Sequence, residues 1–204
     1  MMRGSKRRRR APDAARMVVF VHGFGAGGAV FGPMRARIEE ALDVATLDFT
    51  YRSSQSFSRV ATDLASHIER EGRRWDQLDL VGHSLGGLLA RWYLQELGGA
   101  ERVQRLVTLA TPHAGTRSAR IAPGPLRAVL LPDNTIVRRL KQGRARASDV
   151  QHTALVASDD LMVTPPASAA AVENADVRWF EGVGHNGMLF DTDVHDEVVE
   201  ALRR

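Results

Sequence analysis

The amino-acid sequence predicts a parallel α/β sheet of about six strands with helices on both faces. Short apolar runs of strand length alternate with segments whose apolar residues recur at helical spacing. Such alternation over short connections is typical of parallel strands joined by crossover helices. We expect strands at residues 17–21, 44–51, 77–81, 103–109, 153–157 and 177–181, and helices at residues 30–42, 57–73, 85–97 and 192–202.

Composition and charge separate a folded body from a basic tail. The chain of 204 residues contains no cysteine, which excludes disulfides, cysteine-ligated zinc and a thiol nucleophile. Residues 1–16 hold seven basic side chains and one acidic one, so this segment has a net charge of +6. Because the whole chain has a net charge of +4, the rest of the chain carries −2. We therefore expect residues 1–16 to form a disordered tail and residues 17–204 to form one domain.

The tail sets the expected partners and location. An arginine-rich segment can make weak contacts with anionic surfaces, whereas the nearly neutral body is not expected to bind nucleic acid. The apolar run after the tail spans only five residues, too short for a secretory signal, and no stretch is long enough to cross a membrane. The sequence as written therefore predicts a cytoplasmic protein, with export left open.

A sharp turn between the third strand and the third helix carries the sequence Gly-His-Ser-Leu-Gly at residues 82–86. A serine in such a turn has strained backbone angles, so Gly82 and Gly86 avoid collisions that side chains would cause. The hydroxyl then projects at a helix N-terminus, where free N–H groups favour negative charge. Ser84 is therefore the candidate nucleophile.

A serine hydroxyl needs a base, and one of the seven histidines stands out. His185 lies in the glycine-flanked sequence Gly-Val-Gly-His-Asn-Gly directly after the last strand, so it emerges at the same sheet edge as Ser84. We expect His185 to be the base. The other histidines lie on helices, in tight turns or at the start of a strand, namely His67, His195, His22, His83, His113 and His152.

The acid that orients the base should also follow a strand. The only carboxylates between Asp79 and Asp133 are Glu96 and Glu101, and neither lies at the end of the fourth strand. Asp159 and Asp160 both follow the fifth strand. The residues alone leave both open.

Five motifs together resemble the α/β-hydrolase superfamily, of the bacterial triacylglycerol lipase and esterase type. They are Gly-His-Ser-Leu-Gly-Gly at residues 82–87, His-Gly-Phe-Gly at residues 22–25, Thr-Leu-Ala-Thr-Pro-His-Ala-Gly-Thr at residues 108–116, an Asp-x-x-Val near a proline, and Gly-x-Gly-His. The resemblance covers residues 17–203, and the order Ser, Asp, His is that of the family. It implies a minimal α/β-hydrolase fold with a short cap or lid insert.

The resemblance also implies roles for particular residues. Asp160, with Val163, matches the first position of Asp-x-x-Val and is the implied acid, with Asp159 as the alternative. The backbone N–H groups of Phe24 and Leu85 are the implied oxyanion hole.

Residues 113–150 form the insert, because this connection is much longer than the others. It mixes an apolar segment with a basic one that contains Arg138, Arg139 and Lys141. Leu126, Leu130 and Leu131 are equally compatible with contact to an acyl chain and with ordinary core packing.

The expected function is a lipase or esterase that cleaves small lipophilic carboxylic esters through an acyl-enzyme on Ser84. An acyltransferase, thioesterase or amidase on the same residues is the alternative, and a catalytically silent interaction protein is the non-enzyme alternative. The mechanism requires neither a cofactor nor a metal. Asp191, Asp193, His195 and Asp196 are interpreted as residues of a capped helix start and not as a metal site.

Overall fold

The computed structural model describes residues 16–121 and 129–204. Six strands form one sheet in the order β2-β1-β3-β4-β5-β6, and every neighbouring pair runs parallel. The predicted fold class is therefore confirmed. The strands are β1 (Arg16–Val21), β2 (Ala45–Phe49), β3 (Gln77–His83), β4 (Val103–Leu109), β5 (Gln151–Ala157) and β6 (Ala175–Phe180).

The helices agree with the sequence prediction except inside and after the insert. The α-helices are α1 (Gly32–Ala41), α2 (Phe57–Gly72), α3 (Leu85–Glu96), α4 (Thr135–Gln142), α5 (Ala167–Ala170) and α6 (Thr192–Arg203). The sequence analysis did not predict α4 and α5. Helix α4 lies in the basic segment and is capped by Asn134, whose side-chain oxygen accepts a hydrogen bond from the Ile136 N–H.

Alternating side chains of β1 separate the two halves of the core. Val18 and Phe20 pack with buried residues of α1 and α6. Val19 and Val21 point to the opposite face and pack with α2, α3 and α4. Successive strand residues point to opposite faces, so a continuous apolar run is required when both faces are covered.

The order of the strands fixes where a ligand can bind. The chain passes from β1 to β2 on one side and then returns to place β3 on the other side of β1. In open parallel sheets, ligands bind beyond the carboxyl ends of the strands at such a reversal. Val21 at the end of β1 pairs with Gly82 at the end of β3, so the segments after these two strands begin side by side.

Two glycines allow α3 to pack closely against the sheet. A Cβ on Gly86 would overlap the Val21 carbonyl oxygen at the end of β1. A Cβ on Gly87 would overlap the side chain of Thr111, which follows β4. The first turn of α3 therefore lies directly against the ends of β1 and β4.

A buried carboxylate with two arginine partners lies near the amino end of the sheet. Asp79 is fully buried and forms ion pairs with Arg16 and Arg105. Arg16, assigned to the tail by the sequence analysis, is thus the first residue of β1. The rest of the predicted tail lies outside the described residues. Within the described ranges, no helix is both long enough and apolar enough to span a bilayer.

A buried polar network connects the insert to the sheet. Arg91 on α3 donates to the Leu140 carbonyl of α4 at 3.1 Å and lies 3.1 Å from His113 Nδ1. The hydroxyl of Thr108 lies 3.1 Å from His113 Nε2 and 3.0 Å from His152 Nε2. Burial, together with the Arg91 charge, holds the pKa of His113 well below its usual range, so this imidazole is neutral.

Replacing Gly86 by alanine should destabilise the fold. The added methyl group would overlap backbone at the end of β1, which cannot move without disturbing the sheet, so we expect a loss of about 3 kcal/mol in the free energy of unfolding. Gly27→Ala is the matched control, because a Cβ there would meet nothing within 4 Å. Urea denaturation of both variants measures the effect, and equal stabilities would contradict the close packing.

Acidification should destabilise the protein through the His113 network. The folded pKa of His113 lies below the unfolded value of about 6.5, so unfolding takes up a proton and stability falls as the pH decreases through 6.5. At pH 5 this residue alone should cost at most about 2 kcal/mol relative to pH 7, the limit that an unfolded pKa of about 6.5 sets. Urea denaturation at both pH values tests this for the parent and for His113→Gln, in which the difference should be smaller. The same pH difference in both proteins would refute it.

Candidate active site

Ser84 occupies a strained turn between β3 and α3. Its backbone angles are φ 54° and ψ −121°, and its N–H donates to the Leu109 carbonyl at 2.9 Å. A Cβ on Gly82 would lie 2.7 Å from the backbone of Gly87, which explains the glycine two residues before the serine. A positive φ in a residue other than glycine persists only where the surrounding structure imposes it, and such strain is concentrated at functional sites.

His185 and Asp160 form a buried pair. His185 Nδ1 lies 2.7 Å from Asp160 Oδ2. The other carboxylate oxygen accepts the N–H groups of Met162 at 2.8 Å and Val163 at 2.7 Å, so this aspartate is fixed by its own loop. A carboxylate partner assigns the proton to Nδ1 and leaves Nε2 free to accept another.

Asp159, the alternative acid, is oriented differently. Its side chain is exposed and accepts a hydrogen bond from Ser158 Oγ at 2.9 Å. Among the described residues only Asp160 reaches the imidazole of His185. The geometry thus pairs His185 with the carboxylate that the resemblance implied.

A cavity of about 700 Å³ contains both Ser84 and His185 in its lining. The lining comes from the loop after β1, the insert, the Asp160 loop and the segment after His185. Across residues 16–121 and 129–204, no aspartate, glutamate, lysine or arginine lines this cavity. Its apolar lining includes Val30, Ala119, Leu130, Val163 and Leu189.

Four exposed apolar side chains also belong to this cavity. Ile121 is 92% exposed, Leu161 85%, Phe190 58% and Met162 52%. The sequence analysis missed all four. They lie in loops, where the direction of an apolar side chain cannot be predicted from a periodic pattern. The available signal for placing them at the site was their position in segments that follow strands.

The three leucines considered for acyl contact or core packing differ in their positions. Leu130 lines the cavity. Leu131 is partly buried and packs against the core beside α3. Leu126 lies outside the described residues.

Two unpaired backbone donors lie beside Ser84. Gly23 approaches the serine so closely that a Cβ would lie 3.1 Å from Ser84 Cβ, which brings the following residue, Phe24, to the site. Leu85 is the first residue of α3. Within the described part of the chain, the N–H groups of Phe24 and Leu85 have no hydrogen-bond acceptor.

His22 fixes the loop that carries Phe24. Its ring stacks on Tyr51 with centroids 4.2 Å apart, and its Nε2 accepts the Tyr51 N–H at 3.2 Å. Nδ1 then carries the proton and donates to the Gly23 carbonyl at 2.7 Å. Burial lowers the pKa of His22, which favours this neutral form.

His83 connects the serine turn to the histidine loop. Its Nε2 donates to the backbone carbonyl of His185 at 3.1 Å, and the two rings lie 4.8 Å apart. Burial, together with the neighbouring His185 ring, lowers the pKa of His83 to about 3. His83 is therefore a neutral donor.

Two side chains of the acidic cluster near the last helix, Asp191 and His195, form hydrogen bonds within the chain. The Asp191 carboxylate accepts the N–H groups of Asp193 at 2.9 Å and Val194 at 3.1 Å, so it caps α6. His195 Nε2 donates to the Leu189 carbonyl at 2.9 Å. In residues 16–121 and 129–204, no group of three or more histidines or carboxylates is arranged to hold a metal ion.

Two relatives match part of the chain. One is the abhydrolase domain-containing protein abhd-5.2 of Caenorhabditis elegans, 36% identical over 104 residues, which are 47% of this chain and 23% of that protein. The other is the pimeloyl-[acyl-carrier protein] methyl ester esterase of Neisseria meningitidis, 31% identical over 90 residues, which are 44% of this chain and 34% of that protein. The matches thus span about a quarter to a third of the length of these relatives.

Solved structures share the fold over nearly the whole chain. The lin2722 product of Listeria innocua superimposes with a TM-score of 0.69 at 15% identity and covers 92% of this chain and 93% of that one. Aspergillus fumigatus lipase B gives 0.74 at 16% identity and covers 93% and 52%. The monoacylglycerol lipase of Paleococcus ferrophilus gives 0.66 at 19% identity and covers 91% of each chain. The predicted α/β-hydrolase fold is thereby confirmed.

The family assignment comes from the sequence itself. Residues 17–158 match the family described as palmitoyl protein thioesterase, over more than two thirds of the chain. The matched region begins in β1, includes the turn at Ser84 and ends one residue after β5. The chain therefore belongs to the palmitoyl protein thioesterase family, within the α/β-hydrolase superfamily.

Proposed function

We propose that this chain is a serine hydrolase that cleaves carboxylic esters of lipophilic acyl groups through an acyl-enzyme on Ser84. The observation that carries the proposal is the 2.7 Å contact between His185 Nδ1 and Asp160 Oδ2, with His185 and Ser84 both lining one cavity. The proposed nucleophile, base and orienting acid follow three strands at the same edge of the sheet, which allows them to act together. The family and the fold agree with it.

The first half of the proposed reaction forms the acyl-enzyme. Nε2 of His185 accepts the hydroxyl proton as Ser84 Oγ attacks the ester carbonyl carbon, and Asp160 stabilises the charged imidazole. The carbonyl oxygen becomes an oxyanion that accepts hydrogen bonds from the Phe24 and Leu85 N–H groups. Each donor in such a hole contributes on the order of 10²–10³ in rate.

The second half releases the acid. The tetrahedral intermediate expels the alcohol, which takes the proton from His185 Nε2. Water then loses a proton to the same nitrogen and attacks the acyl carbon, and the second intermediate returns the proton to Ser84 Oγ as the carboxylic acid leaves. Protons and charges balance without a cofactor.

The acyl group is proposed to be apolar. Among the described residues, no charged side chain lines the cavity, and burying an acyl chain there removes apolar surface from water on both sides. A charged acyl group would lose its hydration without gaining an ionic partner. Small lipophilic esters are thus the proposed substrates.

Thioesters form a second candidate substrate class, because the family is named for thioesterase activity. The same three residues can cleave either bond, since only the leaving group differs. Parallel assays of butyryl oxyesters and butyryl thioesters would rank the two by kcat/KM.

Replacing Ser84 by alanine should abolish hydrolysis. The variant lacks the nucleophile, so p-nitrophenyl butyrate cleavage should fall by about 10⁴-fold or more, and a fluorophosphonate probe should label the parent but not the variant. A Ser84→Ala protein that retained the parent rate would refute the proposal.

Asp160→Asn should lower kcat by about 10⁴-fold. The amide would present N–H to His185 Nδ1, which would then have to accept, so that Nε2 would carry the proton and could not receive one from Ser84. Asp159→Asn is the matched control with an expected change within about twofold, because that side chain is exposed and accepts a hydrogen bond from Ser158 Oγ. Steady-state kinetics of both variants test this, and equal losses would argue against the assignment of the acid to Asp160.

A further inference from the structure

A second cavity, of about 360 Å³, adjoins the Ser84 cavity at Phe24. Phe24 lines both cavities, and Leu85, which directly follows the serine, lines the second. The second cavity is therefore bounded by both residues whose N–H groups are proposed to bind the oxyanion. In the proposed reaction, the tetrahedral carbon carries both the acyl chain and the leaving group. These two groups point in different directions, so each needs its own binding cavity.

The two cavities differ in chemistry. The Ser84 cavity is predominantly apolar. The second cavity has an apolar wall that includes Phe57, Val60 and Leu89. No charged residue of the described part of the chain lines this cavity. Its remaining wall is rich in uncharged polar side chains, namely Ser53, Gln55, Ser56, Ser58, Asn134 and Thr135.

Several of these polar groups are fixed in place with their hydrogens still available. Ser53 Oγ accepts the Gly25 N–H at 2.7 Å, and Ser56 Oγ accepts the N–H of Arg59 at 3.4 Å. Asn134 Oδ1 accepts the Ile136 N–H at 2.6 Å, which leaves its amide hydrogens free. The Thr135 hydroxyl makes no hydrogen bond to any described residue. Each of these three side chains accepts one hydrogen bond from the chain, so the hydroxyl hydrogens of Ser53 and Ser56 and the amide hydrogens of Asn134 can be donated to a ligand.

This arrangement decides which part of the substrate belongs here. An alkyl chain laid over these groups would deprive them of water without replacing its hydrogen bonds, which typically costs tenfold or more in binding for each group. A leaving group with acceptor oxygens would satisfy them. A charged leaving group would find no counter-ion among the described lining residues.

We propose that the second cavity binds the leaving group of the substrate, and that this group is an uncharged alcohol or thiol bearing hydroxyl or amide carbonyl oxygens. The inference rests on the proposed hydrolase function and specifies its substrate class. The acyl chain occupies the Ser84 cavity, and the scissile carbonyl lies between the two at Phe24 and Leu85.

The experiment compares leaving groups at a constant acyl chain. Octanoyl glycerol is compared with propyl octanoate, which lacks the two free hydroxyl groups, and S-octanoyl pantetheine is compared with S-octanoyl propanethiol, which lacks the amides. We expect kcat/KM to favour the oxygen-bearing member of at least one pair by about tenfold or more, as one or two added hydrogen bonds would give. Preference in the first pair identifies a polyol alcohol, and preference in the second identifies an amide-bearing thiol.

Variants locate the preference in the second cavity. Asn134→Asp retains a good N-cap for α4 but removes the amide donors, and Thr135→Val removes a hydroxyl at nearly constant shape. Each should reduce the preference about fivefold, as expected for one hydrogen bond. Leu161→Ala, in the Ser84 cavity, is the control and should change the dependence on acyl-chain length but not the leaving-group preference.

Fluorophosphonate labelling distinguishes a failure of the proposed hydrolase function from a failure of the proposed leaving-group site. A parent protein that is not labelled and cleaves none of the four substrates would overturn the proposed function. A labelled parent that cleaves both members of each pair equally would overturn only the leaving-group site. The leaving-group site would also be overturned if Asn134→Asp and Thr135→Val left the preference unchanged. The same conclusion would follow if Leu161→Ala reduced the preference as much as those two variants do.

Discussion

The close contact between the first turn of α3 and the end of β1 is the constraint on which the site depends. With Gly86 against the Val21 carbonyl, the helix can begin only where the chain turns sharply, and Ser84 takes the positive φ that this turn demands. The same contact places the loop after β1 beside the serine, where Gly23 nearly touches its Cβ. The strain at Ser84 and the position of the loop that carries Phe24 thus have a common cause.

A second level of organisation comes from histidines that are neutral because they are buried. His22 holds the loop of Phe24 against Tyr51, and His83 connects the end of β3 to the loop after β6 across two intervening strands. An imidazole can do this because it is a planar donor and acceptor that needs no counter-ion once its pKa is low. His113 plays a related part between β4 and α3. Three of the seven histidines therefore connect loops or elements around the site.

The sequence was sufficient for the strands, the main helices and the serine turn, because apolar periodicity and glycine spacing report burial and backbone strain directly. It left Asp159 and Asp160 open until the resemblance distinguished them, since adjacent loop residues differ only in direction. Helix α4 was missed because its two fully buried positions, Val137 and Leu140, are too few to produce a clear period among basic residues. The cavity linings depend on contacts between loops far apart in sequence, which no local pattern encodes.

In the four residues 160–163, backbone groups anchor the Asp160 carboxylate, whereas the side chains of positions 161 and 162 line the cavity. The carboxylate is anchored by the backbone N–H groups of Met162 and Val163, and this anchoring does not depend on which side chains those residues carry. The side chains of Leu161 and Met162 are exposed at the cavity. Substitutions at positions 161 and 162 can therefore change the lining of the cavity while Asp160 stays in place, which makes this loop a natural starting point for changing the shape of the cavity by directed evolution.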